Sequence, residues 1–422
     1  MMQRQEGKRN GVDCLFYTIN RAVIEFLRDI WQEIERQEVR KISSRVMSLS
    51  RPPSPPEGLD TIEQRKPRKA WRRYVQALML VLLVIPIFVA WQLLNSRFNS
   101  TDPTVAGRPL SNPHTHLHVI ALGDKAGTLY LGTHYGLFTS TDGGNTWPEA
   151  RGALNSMMIM SIAVSPANAR DLAVIGRPTT GAAFQGSLYF SADGGANWQA
   201  GNAPAGLSPS AYLFSLQAGT ANGGQFYAFY EYAGWYETRD MGGHWYPITS
   251  GTLSAMLTPT LLTDYTNPNH LYLGGEQGLY ESRDDGRHWN QITAVSGNVL
   301  SIVASRTVPR VIFCSTEEGK LYRWREGDSQ ISSIAGLPMK SAPERLAIDP
   351  TGKILYGMVG GDLWSSHDGG TTWRHRSQFD RSDMVSLIVN PLNANHIYAG
   401  FFLPAKVVSS TDGGGTWQVL TE

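Results

Sequence analysis

Three sets of side chains in this 422-residue chain have the types and spacing to do chemistry. The first is His114-Thr-His116-Leu-His118, three imidazoles alternating at strand spacing and so sharing one face. Imidazole suits Zn, Cu or Ni. Extended neighbours on one strand rarely close a tetrahedral site alone, so the run reads as a solvated strand entry, and neither a metal nor a cofactor is expected. The second set is acidic: Glu231, Asp264, Glu344 and Asp380 can meet near one rim. Glycoside hydrolysis needs only two carboxylates about 5–10 Å apart. With 36 Asp and Glu in the chain, chance pairs are expected, and no catalytic residue is assigned. The third set is an aspartate that returns in a fixed phrase, and this one organises the molecule.

The phrase is Ser140-Thr-Asp142-Gly-Gly144-Asn-Thr146-Trp147. It recurs around Asp193 and Trp198, Asp240 and Trp245, Asp284 and Trp289, Asp368 and Trp373, and Asp412 and Trp417. Aligning the strand that precedes each box places a seventh, worn copy at Glu326. The third position then recurs at intervals of 51, 47, 44, 42, 42 and 44 residues. Self-similarity at this period means a propeller, solenoid or array. Within one period the pattern reads as four short strands, as in His118–Leu122, Thr128–Gly132, Gly136–Thr139 and the segment after the box, with glycine-rich turns between them. The box itself must fold back tightly. Its glycines permit positive φ, the Asp and Ser side chains can accept hydrogen bonds from the turn's own N–H groups, and the Trp is expected to drop into the core. The box is therefore a hairpin lock and not a catalytic centre.

The pattern S-x-D-x-G-x-x-W resembles the Asp-box (BNR) repeat of sialidases, xyloglucanases, sortilin-type receptors and the photosystem II stability/assembly factor family. The resemblance covers residues from about 117 onward, and six copies in register plus a relic make it specific. It implies an all-β, seven-bladed β-propeller of four-stranded blades over residues 114–422. Among these families the single propeller is most similar to the assembly-factor group, whose propellers escort or scaffold membrane proteins. The alternative it implies is a carbohydrate-active protein, either a sialidase- or xyloglucanase-like glycoside hydrolase or a sugar-binding module. The Arg-Ile-Pro signature of sialidases is absent, with Arg177-Pro178 its nearest echo in a different repeat. Xyloglucanases of this pattern place two propellers around a cleft, and this chain carries one. It also departs from the assembly factors, which are soluble or lipid-anchored and carry a basic patch, whereas the arginines here are scattered.

Charge and hydropathy divide the chain before the repeats. Residues 1–73 carry sixteen Lys and Arg against ten Asp and Glu, and the remainder 21 against 26, which together give the net +1. A mildly acidic repeat region argues against nucleic-acid binding. Tyr74 to Leu94 is apolar but for Gln76 and Gln92, long enough to span a bilayer, and follows a cluster of Lys and Arg. The positive-inside rule then predicts a single-pass protein of the cell membrane, with a cytoplasmic N-terminus and an extracytoplasmic propeller. Residues 1–64 form the cytoplasmic segment. Phe16, Ile19, Val23, Phe26, Ile30 and Ile34 fall on one helical face, and Arg51-Pro-Pro-Ser-Pro-Pro56 makes a stiff spacer. That amphipathic helix can lie on the inner leaflet, pair with its copy or dock on another protein. Residues 65–95 hold the basic flank and membrane helix, and 96–113 a stalk. Cys14 and Cys314 fall on opposite sides of the membrane and cannot pair, and Cys314 is expected to be a buried, inert thiol.

In a propeller whose strands run A to D outward, the boxes all lie at one face and the B–C connections at the other. The boxes are monotonous and the B–C connections are not. His134 and Tyr135 in repeat one, Arg177 and Phe184 in repeat two, Tyr232 and Trp235 in repeat three, and Phe401, Phe402 and Lys406 in repeat seven form an aromatic and basic arc. Repeats four to six offer Glu276, Glu317, Glu318 and Asp362 instead. Exposed aromatics and Arg on loops of a rigid scaffold mark interfaces, so a protein partner is expected at this face. Ring closure is expected from side-chain packing between the first and last blades, aided by residues 105–113.

Overall fold

The computed structural model describes residues 110–421, apart from 111, 124, 126, 150–153, 155–156, 179–185, 209–210, 257–258, 329 and 340. The predicted cytoplasmic helix, membrane helix and most of the stalk lie outside the described residues. Among the described residues no helix is long and apolar enough to cross a membrane.

Each repeat folds into its own antiparallel meander, giving seven sheets. Blade 4 is typical, with strand A at Thr260–Thr263, B at Leu271–Gly275, C at Gly278–Ser282 and D at Asn290–Gln291. Strand B is buried along its whole length in blades 1, 4 and 5, because neighbouring blades cover both of its faces. That is why these strands read as unbroken apolar runs instead of alternating ones. The A strands stand around an axis: each touches the next, and that of blade 7 (Met384–Asn390) touches that of blade 1 (Leu117–Leu122). Among the described residues blade 1 falls one strand short. Pro148 lacks the N–H a ladder needs, and the outer strand is reduced to a single bridge between Phe138 and Glu149.

The six intact boxes share one geometry. The hydroxyl of Ser140 accepts the Gly144 N–H at 2.8 Å and donates to Asp142 at 2.7 Å. The same pair of bonds forms at Ser191, Thr238, Ser282, Ser366 and Ser410. Each Asp carboxylate then accepts the N–H four residues on, from Thr146 at 3.0 Å to His288 at 2.9 Å and Thr372 at 2.8 Å. The glycine after the aspartate sits at positive φ, 78° at Gly143, and boxes three and four place Met241 and Asp285 there at 56° and 62°.

The tryptophans depart from expectation. Only Trp198 is buried, and the other five box indoles are half-buried. They lie in the joints between blades instead of in a blade core, which leaves one edge in solvent. Their N–H groups reach back to the preceding blade: Trp147 to the Leu420 carbonyl at 2.7 Å, Trp245 to Asn202 at 2.8 Å, Trp289 to Ile248 at 2.7 Å and Trp417 to the Ser377 hydroxyl at 3.0 Å. Trp198 and Trp373 bond within their own boxes. Tyrosines of the B strands reach forward, Tyr130 to Gly194 and Tyr356 to Ala394, each at 3.0 Å. Blades are thus clasped in both directions.

Among the described residues no strand is exchanged at the seam. Leu110, Leu117, Ile120, Leu129 and Phe138 pack in one cluster with Tyr398, Ala405, Val407 and Leu420. Two backbone bonds reinforce it, Leu117 N–H to the Phe402 carbonyl at 2.9 Å and Ala405 N–H to Thr115 at 2.7 Å. Leu110 supplies the contribution expected of residues 105–113.

Candidate functional site

The B–C connections gather at one end of the ring, where strand A begins and strand B ends. At the seam this end carries His116 and His118 at the start of strand A of blade 1, His134 and Tyr135 in its B–C turn, and Phe402 from blade 7. A bulge in the A–B ladder between Leu117 and Val119 releases His118 from pairing. The rings pack together: His116 lies 4.8 Å from Phe402 and 5.3 Å from His134, His118 lies 5.8 Å from Phe402 and 6.4 Å from His134, and His134 meets Tyr135 edge-on at 5.1 Å. Burial lowers all three histidine pKa values. His118, whose Nε2 is buried without a partner, is lowered furthest, to about 4, with further contributions from His134, His116 and Arg177. All three imidazoles are therefore neutral near pH 7. Phe402 stands against both His116 and His118, which makes the cluster an aromatic pack.

Arg177 is 3 % exposed. Its guanidinium lies over the Tyr212 ring at 3.7 Å and donates to the Leu213 carbonyl at 2.8 Å, while Nε has no partner. Burial lowers its pKa to about 10. It is a joint between blades 2 and 3, and the expectation that it is a surface contact is corrected. Trp235 and Phe401, each 1 % exposed, are corrected for the same reason: both lie within strands and point between blades, not from the loop tips. His134, Tyr135 and Phe402 are half-buried, and Lys406 is exposed. Phe184 lies outside the described residues.

Tyr232 differs from the rest. It is 71 % exposed and occupies the left-handed region at φ 63° in the turn between strands B and C of blade 3. That conformation costs a non-glycine residue about 1–2 kcal/mol, so the fold holds an aromatic ring in solvent where glycine would be more stable. Sequence reading named the residue without its strain, because the Glu-Tyr-Ala-Gly turn gives no sign of which position is left-handed.

The acidic side of the face is less uniform than expected. Glu276, Glu317 and Glu318 are exposed, but Arg345 donates to the Met384 carbonyl at 2.8 Å and Arg381 forks onto Asp383 within the same sector. Neither arginine lies in a B–C turn: Arg345 opens strand A of blade 6 and Arg381 precedes strand A of blade 7. Above the A strands, Glu344, Arg345, Leu300 and Val385 line a channel cavity of about 240 Å³.

Of the four acids offered for hydrolysis, Asp264 follows strand A and so lies at the opposite, box-bearing end from Glu231, Glu344 and Asp380. It is buried and ion-paired with Arg310, which also holds Glu326 at 2.8 Å. His270 joins them, 3.1 Å from Asp264 and 2.7 Å from Glu281. Ligand atoms of Asp264, His270 and Glu326 come within 4.8 Å of one another, but Arg310 already supplies the positive charge there.

These features define a seven-bladed β-propeller with a strained aromatic on its variable loop face. No family model matches the chain. A stretch of 92 residues, 22 % of this chain, is 34 % identical to a xyloglucanase of Hypocrea jecorina (strain QM6a), and spans a tenth of that protein. Among solved structures, YCF48 bound to D1 peptide superposes with a TM-score of 0.55 at 14 % identity, over 72 % of this chain and 96 % of that one. The GH74 xyloglucanase from Xanthomonas campestris gives 0.56 at 16 % identity over 75 % of this chain, which spans about half (55 %) of the enzyme. At such identities the likeness is one of fold.

Proposed function

We propose that this chain is a membrane-anchored, extracytoplasmic Asp-box propeller that binds a protein partner through its B–C loop face and acts as a scaffold or assembly factor. The observation that carries the reading is Tyr232. An exposed ring kept at a backbone position that disfavours it points to selection for contact over stability. Phe402 and Lys406 of blade 7 and His134 and Tyr135 of blade 1 extend the surface along the same face. YCF48 bound to D1 peptide, similar in fold over most of its length, supports a peptide or protein ligand. The apolar run Tyr74–Leu94 and its basic flank support the anchor.

The test is recovery of partners from native membranes by the full chain and by a Tyr232→Ala, Lys406→Glu double variant. Both side chains are exposed, so the ring stays folded. Loss of a co-purifying protein supports the reading, and unchanged recovery overturns it.

The likeness to a xyloglucanase favours a second reading as a carbohydrate-active protein. Incubation with xyloglucan oligosaccharides decides it: new reducing ends that vanish in a Glu231→Gln, Glu344→Gln variant support hydrolysis, and their absence removes it.

A further inference from the structure

The joint between blades 5 and 6 reverses the charge of its counterpart between blades 3 and 4. In blade 3, Glu237 near the end of strand C (Gly234–Thr238) holds Arg239, two residues on, at 2.6 Å. Arg239 also pairs with Asp285, the residue after the box aspartate of blade 4. Two buried carboxylates thus enclose one guanidinium. Blade 4 repeats the inner pair, Glu281 with Arg283 at 2.8 Å. In blade 5 strand C runs over Leu321–Arg325, and the same two positions hold Arg323 and Arg325. The remaining blades place Thr139, Phe190, Ser365 and Ser409 where Arg323 stands, so no other blade has a cation there. The residue that is Asp285 in blade 4 is Gly369 in blade 6, at φ 69°. Both acids of the earlier joint are gone, and a second arginine is added.

Residues i and i+2 of a strand share a face. Arg323 and Arg325 line one groove of about 310 Å³ with Lys353 and His367. Among the described residues neither arginine nor Lys353 forms an ion pair. The carboxylate in the lining, Asp368, is engaged within its own turn, where it accepts from the Ser366 hydroxyl at 2.8 Å and from the Thr372 N–H and hydroxyl at 2.8 and 2.6 Å. A main-chain donor is left over beside the cations. In the other five intact boxes the N–H after the aspartate donates to a carbonyl of its own blade, as Gly143 does to Gly127 at 2.9 Å and Asp285 to Asn269 at 2.8 Å. Among the described residues no such bond forms at Gly369. Arg323 Nη2 lies 3.1 Å from where a Gly369 Cβ would sit.

We infer that this groove binds a phosphate group, which takes the place that the Asp285 carboxylate fills in the joint between blades 3 and 4. The charge fits. Arg323, Arg325 and Lys353 against Asp368 leave a balance of three minus one, or +2, and a phosphate carries about −1.5 to −2 near pH 7. A carboxylate would neutralise half of that balance. The donors fit as well. Guanidinium forks grip phosphate oxygens in pairs, a lysine adds a point charge, and unpaired N–H groups of turns make anion-binding concavities. The groove lies at the box-bearing end of the ring, so it is separate from the B–C loop face and does not rest on the reading of that face.

The test is calorimetry on the full chain at low ionic strength with inorganic phosphate, with dihexanoyl phosphatidic acid as a soluble lipid, and with acetate as the control. Phosphate is expected to bind with a dissociation constant of about 1 mM or tighter, and more weakly as sodium chloride is raised. Arg323→Glu and Gly369→Asp each copy the joint between blades 3 and 4 and supply the missing acid from within, and each should weaken phosphate binding about tenfold or more. Blade 4 accepts aspartate at this left-handed position, where Asp285 sits at φ 62°. Lys353→Gln, at an exposed position, lowers the affinity severalfold and serves should the first two variants fold poorly. Tyr232→Ala leaves phosphate binding unchanged, which separates this site from the loop face. Equal affinity for the two phosphates assigns the free ion as the ligand, and tighter binding of the lipid assigns a head group. No binding of either phosphate, equal binding of acetate, or native affinity in the folded variants each overturns the inference.

Discussion

Acid should loosen the blade 7–blade 1 seam well before it touches the boxes. His118 has its pKa lowered from 6.5 to about 4 in the folded chain. Between those values the unfolded chain binds the proton and the folded chain resists it, so stability is fully present above pH 6.5 and is lost as pH falls toward 4. Moving from 6.5 to about 4 corresponds to about 3 kcal/mol at most for this side chain, discounted for the solvent that reaches part of the ring. His116 and His134 shift in the same direction and add to the loss. Their neighbours Arg177 and Phe402 supply no negative charge to offset it. The box carboxylates do not contribute in this window. Asp240, Asp284 and Asp368 are lowered from 3.8 to about 2 by hydrogen bonds from the residue four positions on, so their contribution is lost only as pH drops below 3.8. Urea unfolding at pH 7, 5.5 and 4.5 reads the first window. The native chain should lose stability steadily across it, and His118→Gln should flatten the slope by the larger part. A flat native profile between pH 7 and 4.5, or an identical slope in the variant, would refute the reasoning.

Three further outcomes are expected. Tyr232→Gly should stabilise the fold by about 1 kcal/mol by relieving the left-handed backbone while weakening partner recovery; a loss of stability on urea unfolding would contradict the strain argument. Ser282→Ala removes the acceptor of the Gly286 N–H and the donor to Asp284 at a position with no exposure; it should cost about 1–3 kcal/mol, and a change below a few tenths would mean the turn holds without its hydroxyl. Burial pushes the Cys314 thiol up to about 12. Maleimide at pH 7 should therefore spare Cys314 until denaturant is added, as peptide mass mapping would report; rapid native labelling at Cys314 would show that the strand Val311–Thr316 of blade 5 opens.

The ring was legible because its signal is periodic. An Asp and a Trp five residues apart, returning every 42 to 51 residues, define the turn, the blade and the count together. Closure without strand exchange was legible too, since repeat one opens with its own inner strand. What sequence left hidden depends on direction and not on residue type. Trp235 and Phe401 look like loop aromatics, but alternation along their strands turns them between blades, and Arg177 lies at a strand end where Tyr212 covers it. The box tryptophans read as core residues, and most serve the joint with the neighbouring blade, but no pattern within one repeat says which neighbour that is.

The joint that closes the circle uses the same parts as the joints inside the chain: Trp147 grips Leu420 much as Trp289 grips Ile248. Nothing about the architecture then demands that polypeptide be discontinuous between blades 7 and 1 and continuous elsewhere. A circular permutant, cut in the connection between blades 3 and 4 and bridged by a short tether across the old seam, keeps every interblade clasp it had before. The propeller is in this sense a wheel without a privileged spoke.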